Sequence, residues 1–554
     1  MPDVLSSPSG MRAEFNASGS LCRLNCGAVS LSLFIGNEIE GGPANLYLRR
    51  LGKSIEWTPL LGPHSRTCFA KVGSGDALIG DGEWLGMRYR VALHFAQQSP
   101  AWFWHVRLEN TSTDAQEVDL TYAQDLALAP YGAVRMNEFY VSQYIDHTPL
   151  TDPKRGVMIA SRQNAAADGR NPWSLIGSLR SGSSYATDAL QFYRLSARIG
   201  AAPVALLRDL PGSRLQHEHS MVVVRDVPIH LEPRATAEAG FFGCFVADHP
   251  AASSLSDLQH VSATLTLPEA APPMRNIGAV SAASSISAAS LFDSAPLMNG
   301  EELDVPALQE FFGSQWRHEE LTVRAELGSF FCGTNRHVVL QAKELEVLRP
   351  HGHLLRSGNH LTPDEAALTS TVWMNGVFNS MLTQGHVSIN RMLSTTHSYL
   401  GLFRSHGQRV FVEVGGRWHL LHVPSVFEIS PTACRWVYRH AKGVVEVRTA
   451  ALGSPHELVL SIDVRSGGAT RFLISHHCAL NGDDGNLPGA VSWRQDPEGI
   501  SLLPGSGSEV AHRFPDGSFQ ILPQPGTRLS QVGGDELLYA DGKPRQQPFV
   551  VIVT

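Results

Sequence analysis

The chain has 554 residues, of which 43% are hydrophobic and 17% charged, with 50 glycines and 33 prolines; this composition supports packed cores and excludes a disordered or fibrous polypeptide. Its 44 basic residues against 52 acidic ones give a net charge of -8, and no basic run could track a phosphate backbone, so nucleic acid is not an expected partner. At roughly 150 residues per domain the length allows about two to four units.

The first thirty residues lack the basic start and unbroken apolar run of a secretory signal. No segment approaches the eighteen or so apolar residues of a membrane-spanning helix, so a cytoplasmic protein without a membrane span is expected. Seven cysteines (Cys22, Cys26, Cys68, Cys244, Cys332, Cys434 and Cys478) are scattered over the chain, unlike a dense disulfide framework, and reduced thiols are expected. Cys22 and Cys26 have no second pair nearby to complete a zinc site.

From about residue 29 to 266, apolar and polar residues alternate between Gly, Pro, Asn and Asp turns, which predicts strand after strand. In Ala101–Asn110 the alternation puts Trp102, Trp104, Val106 and Leu108 on one face and Phe103, His105, Arg107 and Glu109 on the other. The turn at 110–114 reverses the chain and Val118, Leu120 and Tyr122 resume the pattern, which predicts a hairpin with one buried face. Further strands are expected in 219–233 and 237–248, then a short helix near 253–261 capped by Ser253 or Ser254. The first β-sandwich domain is therefore drawn at 1–266.

Residues 267–314 are assigned to a linker, rich in Ala, Ser and Pro and carrying one short helix in 301–313. The strand pattern returns and fills a second β-sandwich domain, 315–554. There Leu458, Leu460, Ile462 and Val464, a Gly-rich reversal, then Phe472 and Ile474 repeat the arrangement of the first half, suggesting a duplication whose turns diverged in length. The last residues, 548–554, read as a strand without a closing cap, which either completes a sheet or marks a domain truncated at that end.

No phosphate-binding loop, zinc-protease helix, EF-hand or nucleophile elbow is present. The histidine pairs His217/His219 and His351/His353 could face one way along a strand, but nothing obliges a third ligand to join them, and no metal is expected. Histidines also cluster at His419/His422 and His476/His477. The acid pairs Asp483/Asp484 and Asp535/Glu536 sit in Gly- and Asn-rich turns, where they suit backbone geometry better than paired acid and base work. Two stretches, 137–156 and 370–413, combine aromatic rings with amides, imidazoles and guanidinium groups, the chemistry of sugar recognition. They supply the candidate substrate-binding residues Tyr140, Tyr144, His147, Trp373, Asn375, Asn379, Gln384, His386, Asn390, Arg404 and His406; the alternative is that the rings fill cores and the amides cap turns.

These stretches, together with 31–51, 57–67 and 336–355, resemble the N-terminal part of the 1,2-β-oligoglucan phosphorylases, and more distantly cellobiose phosphorylase and the phosphorylase-like end of cyclic β-1,2-glucan synthases, in glycoside hydrolase family 94. The resemblance implies two supersandwich domains joined by a short helical linker, ahead of an (α/α)6 barrel that holds the general acid and most phosphate-binding residues. It implies inverting phosphorolysis of a β-1,2-glucosidic bond to α-glucose 1-phosphate, with inorganic phosphate as co-substrate and no other cofactor. No succession of amphipathic helices is present in this sequence, so no catalytic residue is carried over and the chain alone is expected to be inactive. Implied partners are a β-glucan oligosaccharide, a downstream-encoded (α/α)6 barrel and a second copy as homodimer. A free-standing carbohydrate-binding protein, and an enzyme with its site between the sandwiches, are the alternatives.

Overall fold

A computed structural model describes residues 3–70, 77–271, 289–359, 364–385, 391–480 and 491–554. The described residues are mainly strand, with short helices, and divide into two units: Met1–Arg194 with Ala202–Ser287, and Leu195–Ala201 with Ala288–Thr554.

In the first unit one leaf orders the strands Glu56–Pro59, Asn45–Leu51, Gln116–Asp125, Ser220–Asp226 and Gly182–Asp188. The other orders Gly156–Gln163, Trp173–Ser178, Thr236–Val246, Ala101–Asn110, Met87–Phe95 and Ala77–Trp84. The leaves meet at a single parallel bridge, Gly156 to Gly182. Two glycines are required there: a Cβ on Gly156 would lie 2.1 Å from the Gly182 carbonyl oxygen, and one on Gly182 would lie 2.2 Å from that of Val157. The core between the leaves joins Leu46, Leu120, Tyr122 and Val224 to Trp102, Trp104, Val91 and Phe241.

The alternation in Ala101–Asn110 is as the sequence predicts, but the hairpin is corrected. Ala101–Asn110 pairs with Met87–Phe95 and Thr236–Val246, whereas Gln116–Asp125 pairs with Asn45–Leu51 and Ser220–Asp226. The two strands lie in opposite leaves and touch through side chains, the Trp102 indole N–H donating to the Tyr122 hydroxyl at 3.2 Å. Nor is the other face left to solvent. Phe103 packs with Trp173, Leu175 and Phe242 beneath the helix Leu258–Leu265, and the His105 Nε2 bonds the Glu269 carbonyl at 2.9 Å. Ser254 caps the turn leading into that helix in a reciprocal box with Asp257.

The second unit repeats this logic. One sheet orders Gly352–Arg356, Leu368–Trp373, Val377–Gln384, Gln408–Val414, Phe472–His477, Phe549–Val553 and Gln531–Gly533. The facing sheet orders Trp316–Leu321, Leu327–Cys332, Arg336–Leu340, Val426–Ser430, Ala433–His440, Gly443–Ala451 and Leu458–Ser466. Their core sets Val372, Phe378 and Val410 against Phe427, Trp436 and Val447. Leu458–Ser466 and Phe472–His477 again enter different sheets, an arch rather than a hairpin. Phe549–Val553 is paired on both edges.

The described parts of 267–314 are packed at both ends. Leu267 and Ala270 pack against the first unit. Leu297–Met298 pairs with Arg417–Leu421, and the Asp304-capped helix Val305–Phe312 buries Leu308 and Phe312 against Phe330 and Val338. The segment Leu195–Ala201 also builds into the second unit, where Arg198, fully buried, donates to the carbonyls of Tyr399 (2.9 Å), Glu344 (2.8 Å), Val347 (2.8 Å) and Leu348.

Candidate functional site

The first polar-aromatic stretch forms a surface on the first unit. Asn137 ends the helix Tyr131–Met136 and caps Glu138–Gln143, its side chain accepting the Tyr140 backbone N–H at 2.9 Å. Tyr140 and Tyr144 are one helical turn apart, so their rings meet, with centroids at 4.5 Å, while remaining 51% and 39% exposed. The hydrogen bond to Tyr144 raises the Tyr140 phenol above its ordinary value. The base beneath them is pinned: Gln163 donates to the carbonyls of Ala127 (3.0 Å) and Val141 (3.1 Å). Beside the rings, Gln216 donates to the Gln143 carbonyl at 2.8 Å and Arg214 reaches Asp146 at 3.4 Å. Exposed flat rings bordered by amide and guanidinium groups suit a sugar's C–H face and hydroxyls.

His147, three residues on, belongs to the core. Its Nδ1 and Nε2 lie 2.9 and 3.0 Å from the hydroxyls of Ser161 and Ser220, and burial, aided by Arg214, pushes its pKa down to about 3. A ligand would have to displace both serines to reach it.

The second stretch lies in the second unit. Ser370 donates to Asn379 Oδ1 (2.9 Å), Asn379 to Gln408 Oε1 (2.7 Å), Gln408 to His476 Nε2 (2.9 Å), and His476 Nδ1 to the Val550 carbonyl (3.1 Å). This chain needs a neutral His476, and burial holds its pKa down to about 4. Asn379 is therefore a structural link. His406 lies flat between Phe403 and His477, at centroid distances of 5.3 and 5.0 Å, with His397 edge-on.

Asn375, Arg404 and Arg409 gather near His422. Arg409 is 3.4 Å from His422 Nδ1, and burial with both arginines drives the imidazole far below its ordinary pKa. A Cβ on Gly401, whose φ is +67°, would lie 2.9 Å from Asn375 Nδ2. Trp373 is half-buried and Gln384 exposed; the Trp373 carbonyl accepts the Trp436 indole N–H at 3.1 Å. His386 and Asn390 lie outside the described residues.

Of the histidine pairs, neither is extended in register. His217 and His219 fall in a bend before Ser220–Asp226, and His351 bonds Glu344 at 2.6 Å just ahead of the strand carrying His353. Asp535 accepts the backbone N–H groups of Arg545 (2.8 Å) and Gln547 (3.0 Å); Asp483 and Asp484 lie outside the described residues. Sequence reasoning missed Arg198 and the group His249, Asp257 and His260. Arg198 carries no local signal. The other group was hidden by its spacing, since it joins a loop to a helix.

Comparison with known proteins adds two domain matches: the SOGP N-terminal domain over residues 14–243 and the glycoside phosphorylase supersandwich domain over 315–554. A 1,2-beta-oligoglucan phosphorylase of Listeria innocua serovar 6a is 26% identical over 523 residues, 92% of this chain and 45% of that protein. The chain thus spans less than half the length of this curated relative. Among solved structures, a polysaccharide lyase aligns over 85% of this chain and 47% of its own, at 6% identity and a TM-score of 0.30. A bacterial glucoamylase complexed with acarbose aligns over 47% of this chain and 36% of its own, at 9% identity and a TM-score of 0.28. Similarities this low carry no functional argument.

Proposed function

The chain belongs to the SOGP family of glycoside phosphorylases, and on that premise we propose that it forms the sugar-contacting scaffold of an enzyme cleaving β-1,2-linked gluco-oligosaccharides with inorganic phosphate. The observation that carries this reading is the continuous match, over 92% of the chain, to a relative named for 1,2-beta-oligoglucan. Inverting phosphorolysis needs a carboxylic acid at the glycosidic oxygen and a phosphate held on the opposite sugar face.

The buried carboxylates described here have other employment. Asp119 pairs with Arg49 at 2.6 Å, Asp226 with Arg180 at 3.2 Å and Glu344 with His351 at 2.6 Å. Asp125 accepts the backbone N–H groups of Leu33 (3.0 Å) and Phe34 (2.7 Å). This supports a reading in which the acid and the phosphate clamp come from an (α/α)6 barrel and the sandwiches shape the substrate channel and a homodimer contact. In this reading the work is done in the cytoplasm, on a soluble oligosaccharide.

A second reading, a free-standing carbohydrate-binding protein, is favoured by the exposed Tyr140–Tyr144 pair, whose rings are presented by this chain's own helix. Both readings make the pair a sugar contact. Calorimetric titration with β-1,2-gluco-oligosaccharides should give micromolar binding that weakens by about tenfold in Tyr140→Ala/Tyr144→Ala, roughly 1.4 kcal/mol. Unchanged affinity in that variant, with its circular dichroism intact, would remove the pair from the sugar site; no binding by the folded native chain would contradict both readings.

A further inference from the structure

We propose that His249, Asp257 and His260 form a mononuclear site for a divalent transition metal of the zinc class on the first unit. Their ligand atoms all lie within 4.8 Å of one another. The three residues come from separate pieces of chain: His249 follows the strand Thr236–Val246, Asp257 ends the turn Leu255–Asp257, and His260 sits in the first turn of Leu258–Leu265.

The orientation of His249 is the main observation. Its Nδ1 lies 2.8 Å from the Ala251 carbonyl, which can only accept. That bond places the proton on Nδ1 and turns the Nε2 lone pair toward Asp257 Oδ1, 3.0 Å away. Two electron-rich atoms this close need a cation beside them. A proton on Nε2 would serve, but it gives His260 no role. A divalent ion bound at about 2.0–2.2 Å by imidazole and carboxylate accommodates a 3.0 Å ligand separation and takes His260 as its third donor. A backbone carbonyl fixing the far nitrogen is the usual support for a metal-bound histidine.

The carboxylate is equally fixed. Asp257 Oδ2 accepts the Ser254 N–H at 2.8 Å, leaving Oδ1 for the ion. The Trp173 indole backs the group, stacking on His249 and touching His260, each at a centroid distance of 5.1 Å. The backbone of His249 is tied at both ends, its N–H to Asn171 (2.8 Å) and its carbonyl to Arg162 (2.7 Å). Two neutral imidazoles and one carboxylate offset half of a divalent charge. With three protein ligands, the fourth position remains for water. His260 is half-exposed, which gives an ion a way in. Such an ion would fasten the helix Leu258–Leu265 to the strand layer it covers.

The test uses the full chain, freed of metal, and zinc chloride as the probe. Competition with a chromophoric chelator should show one tight equivalent, lost or weakened more than tenfold in His260→Ala. Cobalt(II) should give the absorption of a low-coordinate nitrogen–oxygen site in the native chain and not in the variant. Zinc should raise the melting temperature of the native chain only, while the two metal-free proteins melt together. If His260→Ala binds zinc and cobalt as the native chain does, or the folded native chain binds neither, the site is refuted and the group is a His249–Asp257 ion pair with a neighbour.

Discussion

Asp125 and the buried histidines of the first unit pull stability in opposite directions as pH changes. Burial raises Asp125 from 3.8 to about 7, so between those values the folded state keeps a proton that the unfolded state releases, and stability falls as pH rises. His147 and His219 are driven by burial from 6.5 to about 3. Below 6.5 the unfolded chain therefore takes up protons that the folded chain refuses, and stability falls as pH drops. Each group contributes about 1.4 kcal/mol per pH unit between its unfolded and folded values, so His147 and His219 outweigh Asp125, while His105, lowered by burial, and Asp226, raised by it, act in opposite senses. The unfolding free energy of the first unit should decline by roughly 1.4 kcal/mol per unit from pH 6.5 to 5. Asp125→Asn should make the decline about twice as steep, because it removes the opposing group. Urea titrations at pH 5, 5.5, 6 and 6.5 read this directly, and an unchanged slope in Asp125→Asn would mean that Asp125 is ionised in the fold.

The join between the leaves of the first unit rests on the crowding at Gly156 and Gly182 more than on backbone conformation, and a matched substitution separates the two. Gly156 and Gly169 have similar positive φ angles, +66° and +73°, yet a Cβ at Gly169 meets nothing within 4 Å. Gly169→Ala should cost about 1–2 kcal/mol, the left-handed penalty alone. Gly156→Ala and Gly182→Ala should each cost roughly 3 kcal/mol or more, because a carbonyl oxygen must move. Equal losses at 156 and 169 in thermal unfolding would show that the leaves can part without cost. The arches show where sequence reading stops. Alternation assigned Trp102, Trp104, Val106 and Leu108 to one face because side chains alternate along any strand. It is silent on partners, so a turn feeding a second leaf looks the same as a turn feeding a hairpin. The same limit hid His147, Asn379 and His406: in a sandwich whose outer faces are also covered, polar residues on either face can be internal.

Across the whole chain, the strand-built architecture and the SOGP relationship were legible because long patterned segments carry both. Which of the candidate residues reach the surface was only partly so. Tyr140 and Tyr144 are presented by a capped helix, whereas Asn379 serves a hydrogen-bonded chain that ends on Val550 and depends on strands far apart in sequence. Arg198 was invisible because its partners, the carbonyls of 344–348 and 399, exist only once the second unit has folded around it. The division of labour proposed here, sugar contacts on the sandwiches and proton donation elsewhere, makes this chain a binder without turnover. Purified protein incubated with phosphate and β-1,2-gluco-oligosaccharides, assayed for glucose 1-phosphate, should release none above a protein-free control. Release that rises in proportion to protein concentration would contradict it.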